Sequence, residues 1–185
     1  GGFVGPEQDL LDAAQSKLTD KTGIDVDRAH LEQLGAFGAP GRDPRMRVVS
    51  VTYLAMVPDP GPASNKDADW YAIDELNSEV LAFDHGDILT AGVERARAKL
   101  EYTTLATSFC GDTFTVVELR GVYEAVWGVS LDPANFHRKL LAAQGFLIPT
   151  NQTVTQGRGR PAQLYRAGAK HTLHPAIVRV RASGS

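Results

Sequence analysis

Apolar residues recur along this chain with two periods, and the order of those periods predicts its elements. In residues 9–22, Leu11, Ala14 and Leu18 fall at i, i+3 and i+7, which predicts a short amphipathic helix stopped by Gly23. Residues 30–37 and 45–57 read as strands. The second, RMRVVSVTYLAMV, is continuous and dense in β-branched and aromatic residues, so it is expected to be a central strand buried on both faces. GAPGRDPR between them is a glycine–proline loop, and residues 58–69 have loop composition. Residues 70–73 read as one more strand. A long helix is expected over 86–108, with Ile88, Ala91, Val93, Leu100 and Leu105 forming a broken stripe.

From Thr113 the helices shorten and their start signals sharpen. Thr115 and Glu118 have capping-box spacing, and the helix they open places Val116, Leu119, Val122, Tyr123 and Val126 on one face before Gly128. Asp132-Pro133 supplies a cap and a first-turn proline for ANFHRKLLAAQG, which Gly145 is expected to end. About four residues separate the two helices, the spacing of a helix-turn-helix. With Phe136, Leu140 and Ala143 on the inner face, Ala134, Asn135, Arg138 and Ala142 face outward, and His137 and Lys139 flank them. Asparagine suits adenine, arginine suits guanine or phosphate, and alanines let a helix sit close. The stretch FLIPTNQTVTQGRGRPAQLYRA then predicts two strands joined by a tip carrying Gln156, Arg158 and Arg160, able to reach a minor groove or the backbone. With Thr115 at the mouth of the first helix, these residues are the candidate DNA contacts of a winged helix-turn-helix. Each piece alone occurs in purely structural helix pairs and solvated turns. Their order and their shared region make the pattern specific.

Composition sharpens the division. The net charge of −3 over 185 residues hides two opposite regions. Residues 1–90 carry 16 acidic and 7 basic side chains, a net of −9, while residues 91–185 carry 6 and 12, a net of +6. A basic half points to a nucleic-acid or membrane partner. No run approaches the ~18 apolar residues of a membrane span, and a membrane partner is not expected. A single cysteine, Cys110, excludes an internal disulfide framework and favours the cytoplasm. Two domains are therefore expected, 1–90 and 91–185, with the junction near 90–108.

The first 24 residues resemble a Nudix box, G-x5-E-x7-R-E-U-x-E-E-x-G-U with U aliphatic. Aligned on Gly2, Leu18, Gly23 and Ile24, the box holds Gln8 at its first glutamate, Ser16-Lys17 at its Arg-Glu pair, and Asp20-Lys21 at its Glu-Glu pair. Acidic groups on that helix face would gather Mg²⁺ against a pyrophosphate. Here Lys17, Asp20 and Lys21 give the face a net charge of +1, so a divalent cation is repelled. No catalytic or metal-binding residue and no cofactor are expected.

Further along, LGAFGAPGRDPRMRVVSVTYLAMV, WYAIDEL, LAFDHGDIL, RARAKLEYTTLA, FTVVELRGVYEAVWG and NFHRKLLAAQGFL resemble the Nudix-related transcriptional regulators called NrtR. The likeness extends to about Ala167 and is most specific between AFDH and NFHRKLL. It implies an α/β plus winged helix fold: a Nudix-like α/β/α sandwich followed by a C-terminal winged helix-turn-helix. A complete Nudix domain has strands before its box, so the chain is expected to lack an N-terminal segment. The resemblance implies a homodimeric repressor of NAD biosynthesis or salvage genes, bound to double-stranded operator DNA and responsive to ADP-ribose or a related NAD metabolite. Arg42, Arg45 and Arg47, on and beside the GRDPR loop, are then the candidate effector-binding residues, with solvated loop charge as their alternative role. The rival expectation is an active Mg-dependent hydrolase of ADP-ribose or another nucleoside diphosphate derivative, its C-terminal module serving only to dimerise.

Overall fold

In the computed structural model, which describes residues 1–61, 65–66, 68–77, 80–155 and 161–179, the chain forms two compact units, Gly1–Arg95 and Ala96–Ser185. Its helices are α1 (Leu10–Thr22), α2 (His85–Tyr102), α3 (Val116–Trp127) and α4 (Pro133–Ala142). Its strands are β1 (His30–Phe37), β2 (Ser50–Met56), β3 (Leu147–Val154) and β4 (Ala162–Ala167). None of the described helices is long and apolar enough to cross a membrane.

In the first unit, α1 starts where its cap dictates. The Asp9 carboxylate accepts from the Leu11 amide, and Gly23, left-handed at φ 73°, ends the helix with its amide on the Thr19 carbonyl. β1 pairs antiparallel with β2, from His30 opposite Met56 to Phe37 opposite Ser50, with a register shift between Gln33 and Gly35. The first half of α2 lies close against this ribbon. A Cβ at Gly92 would stand 3.7 Å from Leu34 Cδ2 and 3.9 Å from Leu54 Cδ1, ordinary packing distances.

Three expectations for this region fail. The 45–57 strand begins only at Ser50, because Asp43 accepts from the Arg45 backbone amide and turns the chain before it can extend. β2 is not central: among the described residues it pairs with β1 alone, and most of its side chains are only half-buried. Residues 70–73 form no strand. Trp70 and Tyr71 stand exposed ahead of a short 3₁₀ turn, Ile73–Glu75, so β-rich composition found no partner strand there.

The second unit holds most of the core. Among the described residues, every buried hydrophobic side chain except Ala13 and Met56 belongs to it. α2 ends at Tyr102, short of Ser108. Thr103 turns its hydroxyl back onto the Lys99 carbonyl and bridges to Thr172, and Leu105–Phe109 continues as 3₁₀ helix. α4 ends at Ala142, and Gly145 (φ 74°) closes the turn after it. β3 and β4 pair antiparallel with an irregularity between Pro149 and Thr153, where Asn151 takes a positive φ of 59°. Close approach requires glycine at one point. Gly168 donates to the Phe146 carbonyl at 2.7 Å, and a Cβ there would collide with the Gly145 carbonyl.

Candidate nucleic-acid interface

The frame of the interface is an aromatic cluster. Leu119, Tyr123 and Trp127 repeat at helical spacing on the inner face of α3, and all are buried. The Tyr123 ring meets Trp127 edge-on at 4.9 Å and Phe136 of α4 at 5.2 Å. Burial pushes the Tyr123 phenol well above its ordinary pKa, so it stays neutral inside the cluster. At the end of α3, the Trp127 indole donates to the Arg97 carbonyl at 3.1 Å and the Glu124 carboxylate accepts from the Leu131 amide at 2.8 Å. These contacts fix the turn between the helices.

Asp132 then accepts from the Asn135 amide at 2.8 Å and Pro133 occupies the first turn, starting α4 where the sequence placed it. Phe136, Leu140 and Ala143 are buried as expected, which turns Ala134, Asn135, His137, Arg138 and Ala142 to solvent. Arg138 Nη2 donates to Asn135 Oδ1 at 2.7 Å, so the two polar groups suited to base edges stand as a pair. Lys139 is half-buried, and its ammonium donates to the Val178 carbonyl at 3.2 Å. Leu141, 58% exposed, shares the outer surface. It is not among the outward residues picked out by the helical period. Its signal was available, since an apolar side chain beside Ala142 and Arg138 suits a thymine methyl group.

Thr115 does not belong to this face. It is 2% exposed. Its hydroxyl is 3.2 Å from the Glu118 amide, while its own amide donates to the Glu118 carboxylate at 2.6 Å. The capping box consumes the groups that a phosphate would need. The candidate wing residues Gln156, Arg158 and Arg160 lie outside the described residues.

In the acidic unit the three candidate arginines separate. Arg42 is turned inward, its side chain 6% exposed, with Nε and Nη2 each 2.6 Å from the Asp84 carboxylate and Nη1 2.9 Å from Ser50 Oγ. Its fork is occupied by the Asp84 carboxylate and its side chain is shielded from solvent, whereas the Arg45 side chain, also paired, is 71% exposed. Those bonds hold the Asp84 carboxyl below the usual range. Arg45 is exposed; it grips Asp43 at 2.7 Å and stands 4.9 Å over the Phe83 ring. Its hydrogen bonds pull the Asp43 pKa down to about 2. Arg47 is exposed, and among the described residues its side chain bonds locally, to the Val48 carbonyl.

The donor set of the α1 face does not fit the divalent metal of a Nudix hydrolase. Lys17 Nζ lies 3.8 Å from the Asp20 carboxylate, and Ser16 Oγ donates to the same carboxylate at 3.2 Å. An ammonium and a hydroxyl thus face the one anionic group. Among the described residues no group of three or more His, Cys, Asp or Glu side chains gathers as a metal site.

With this geometry in place, comparisons with known proteins identify its relatives. Residues 106–167 match the model of the NrtR DNA-binding winged helix domain. The chain is 37% identical over 172 residues to an Acinetobacter baylyi protein described as an ADPR responsive transcriptional repressor, NtrR, spanning 90% of this chain and 67% of that protein. Among solved structures it resembles Shewanella oneidensis NrtR complexed with a 27mer DNA, with a TM-score of 0.70 and 31% identity over 90% of this chain and 77% of the other. A second structure of Shewanella oneidensis NrtR gives 0.67 and 28%, over 92% and 82%. A MutT/nudix family protein from Enterococcus faecalis gives 0.66 at 24% identity, over 90% and 73%, a likeness of fold.

Proposed function

Because the chain belongs to the NrtR family, with a Nudix-like α/β domain followed by a winged helix, we propose that it is a transcriptional repressor of NAD biosynthesis or salvage genes whose hold on operator DNA responds to ADP-ribose or a related NAD metabolite. The outer face of α4 carries the function. Asn135 and Arg138 are presented as a bonded pair on a helix whose inner face packs on α3 through Phe136 and buries Leu140. Ala134, His137 and Lys139 complete the contact surface, and Gln156 with the cationic Arg158 and Arg160 supplies the wing contacts. The reader comprises residues 91–185 and the sensor residues 1–90. The protein works in the cytoplasm, where its DNA lies.

The effector binds without being hydrolysed. Recognition of a pyrophosphate requires cations, which Arg45 and Arg47 supply at exposed positions. Hydrolysis requires a metal that the Lys17–Asp20–Lys21 face repels. The effector acts only if its affinity differs between the DNA-bound and released arrangements. The working species is a homodimer, supported by the large apolar side chains that 1–95 leaves exposed, including Leu10, Leu11, Trp70, Tyr71 and Ile73.

A gel shift of the full chain on the DNA upstream of its own gene, with and without ADP-ribose and NAD, tests DNA binding and effector response together. Retarded DNA whose retardation changes with one metabolite is the expected result, and no retardation overturns the repressor function. In parallel, ADP-ribose with Mg²⁺ or Mn²⁺ should yield no product. Turnover abolished by Asp20→Ala would establish a hydrolase instead.

A further inference from the structure

Helix α2 ends with carbonyls that lack an intrahelical partner, and the segment after β4 takes them up. The Leu173 amide donates to the Tyr102 carbonyl at 2.9 Å and the Ile177 amide to the Glu101 carbonyl at 3.0 Å. Just beyond the helix, the Thr104 hydroxyl donates to the Lys170 carbonyl at 2.8 Å, and its amide to the His171 carbonyl at 3.2 Å. Leu173 and Ile177 are buried, so the strap is part of the core. Its far end is tied by charge. Glu101, 2% exposed, accepts from the Arg179 amide at 3.2 Å and faces Arg179 Nε at the same distance.

Between these two ties the strap reaches the reading helix. Ile177 and Val178 line a cavity of about 210 Å³ together with Trp127 of α3 and Asn135, Phe136 and Lys139 of α4. The Val178 carbonyl, one residue before Arg179, accepts from the Lys139 ammonium at 3.2 Å. An ammonium has three donors, and occupying one fixes the position of the other two. The region matched by the winged-helix family ends at residue 167, before the strap begins.

We propose that residues 171–179 are a positioning strap for DNA reading: anchored on α2 through Glu101, they hold the Lys139 ammonium through the Val178 carbonyl and so preset a phosphate contact beside α4. Glu101 and Arg179 are positioning residues that act through Lys139. The proposal rests on the function given above, that this chain binds duplex DNA. The strap sets register on the backbone and reads no base.

The test is a double-mutant cycle read by fluorescence anisotropy, using full-length chain and a duplex that the wild type selects from a random pool, over a series of KCl concentrations. Lys139→Met is expected to lower affinity about three- to fivefold near physiological salt and to flatten the salt slope by about one. Arg179→Ala should move affinity and slope in the same direction, and the double variant should be no weaker than Lys139→Met alone. Arg179→Ala binding like wild type, or two single effects that multiply in the double variant, overturns the strap. If Arg179→Ala loses its cooperative melt, Glu101→Gln enters the same cycle, since its amide oxygen can still accept from the Arg179 amide. A wild type that selects no duplex overturns the DNA-binding function and the strap with it. A wild type that binds, with strap variants indistinguishable from it, overturns the strap alone.

Discussion

Arg42 and Asp84, 42 positions apart, meet as a forked pair, with each carboxylate oxygen 2.6 Å from a guanidinium nitrogen. The pair joins the GRDPR loop to the residue before α2, and Ser50 at the start of β2 takes a third donor of the same fork. Arg45 repeats the connection one step along, over the Phe83 ring. Arginine is suited to this task because its planar fork matches a carboxylate in two bonds at once.

The pair makes the first unit acid-sensitive. Asp84, and Asp43 with its pKa of about 2, sit below their unfolded value of about 3.9. Groups of this kind stabilise the fold above the unfolded pKa, and that contribution is lost as pH falls through the folded one. The urea midpoint should therefore drop between about pH 4 and about pH 2. Asp84→Asn should lower the midpoint at pH 7 and flatten its fall in acid. An identical acid profile in the variant would show that the pair does not act this way.

Thr115→Ala removes one half of the capping box and leaves the outer face of α4 untouched. A loss of about 1 kcal/mol in thermal or urea stability is expected. The slope of DNA affinity against salt should match wild type, which distinguishes a cap from a phosphate contact.

Arg138→Ala should cost ~1–3 kcal/mol in binding to a selected duplex and relax preference at one base position. Asn135→Ala removes the acceptor that orients Arg138, so the two effects should be less than additive. Competition against single-base variants of the duplex measures both, and undiminished discrimination in either variant would remove that residue from base reading.

Gly168→Ala puts a methyl group into the Gly145 carbonyl. Backbone must move to admit it, and destabilisation of about 1–3 kcal/mol or more is expected. The melting temperature should fall by several degrees. An unchanged melt would mean that the turn after α4 yields easily.

Local signals did most of the work in α1, α3 and α4. Asp9, Gly23, Thr115, Glu118, Gly128, Asp132 and Pro133 each act within a few residues of the groups they satisfy, so their effect is written in the sequence itself. The same locality made the inner face of α4 predictable, because Phe136, Leu140 and Ala143 follow from helical period alone. Strand 45–57 was read too long because apolar composition states what can be buried and is silent on what pairs with it. The partner of Arg42 was not legible for a related reason. A loop arginine looks solvated until a carboxylate 42 residues away closes on it.

By itself, then, the amino-acid order determined the starts of α1, α3 and α4, the stops of α1 and α3 and the outward residues of α4, all consequences of short-range geometry, together with the opposite charges of the two regions. Only tertiary structure decided which polar groups remain available. It turned Arg42 onto Asp84 and tied Lys139 to Val178. Each is a competition among hydrogen-bond partners, and the winners at Asp84 and Val178 lie far from their donors along the chain.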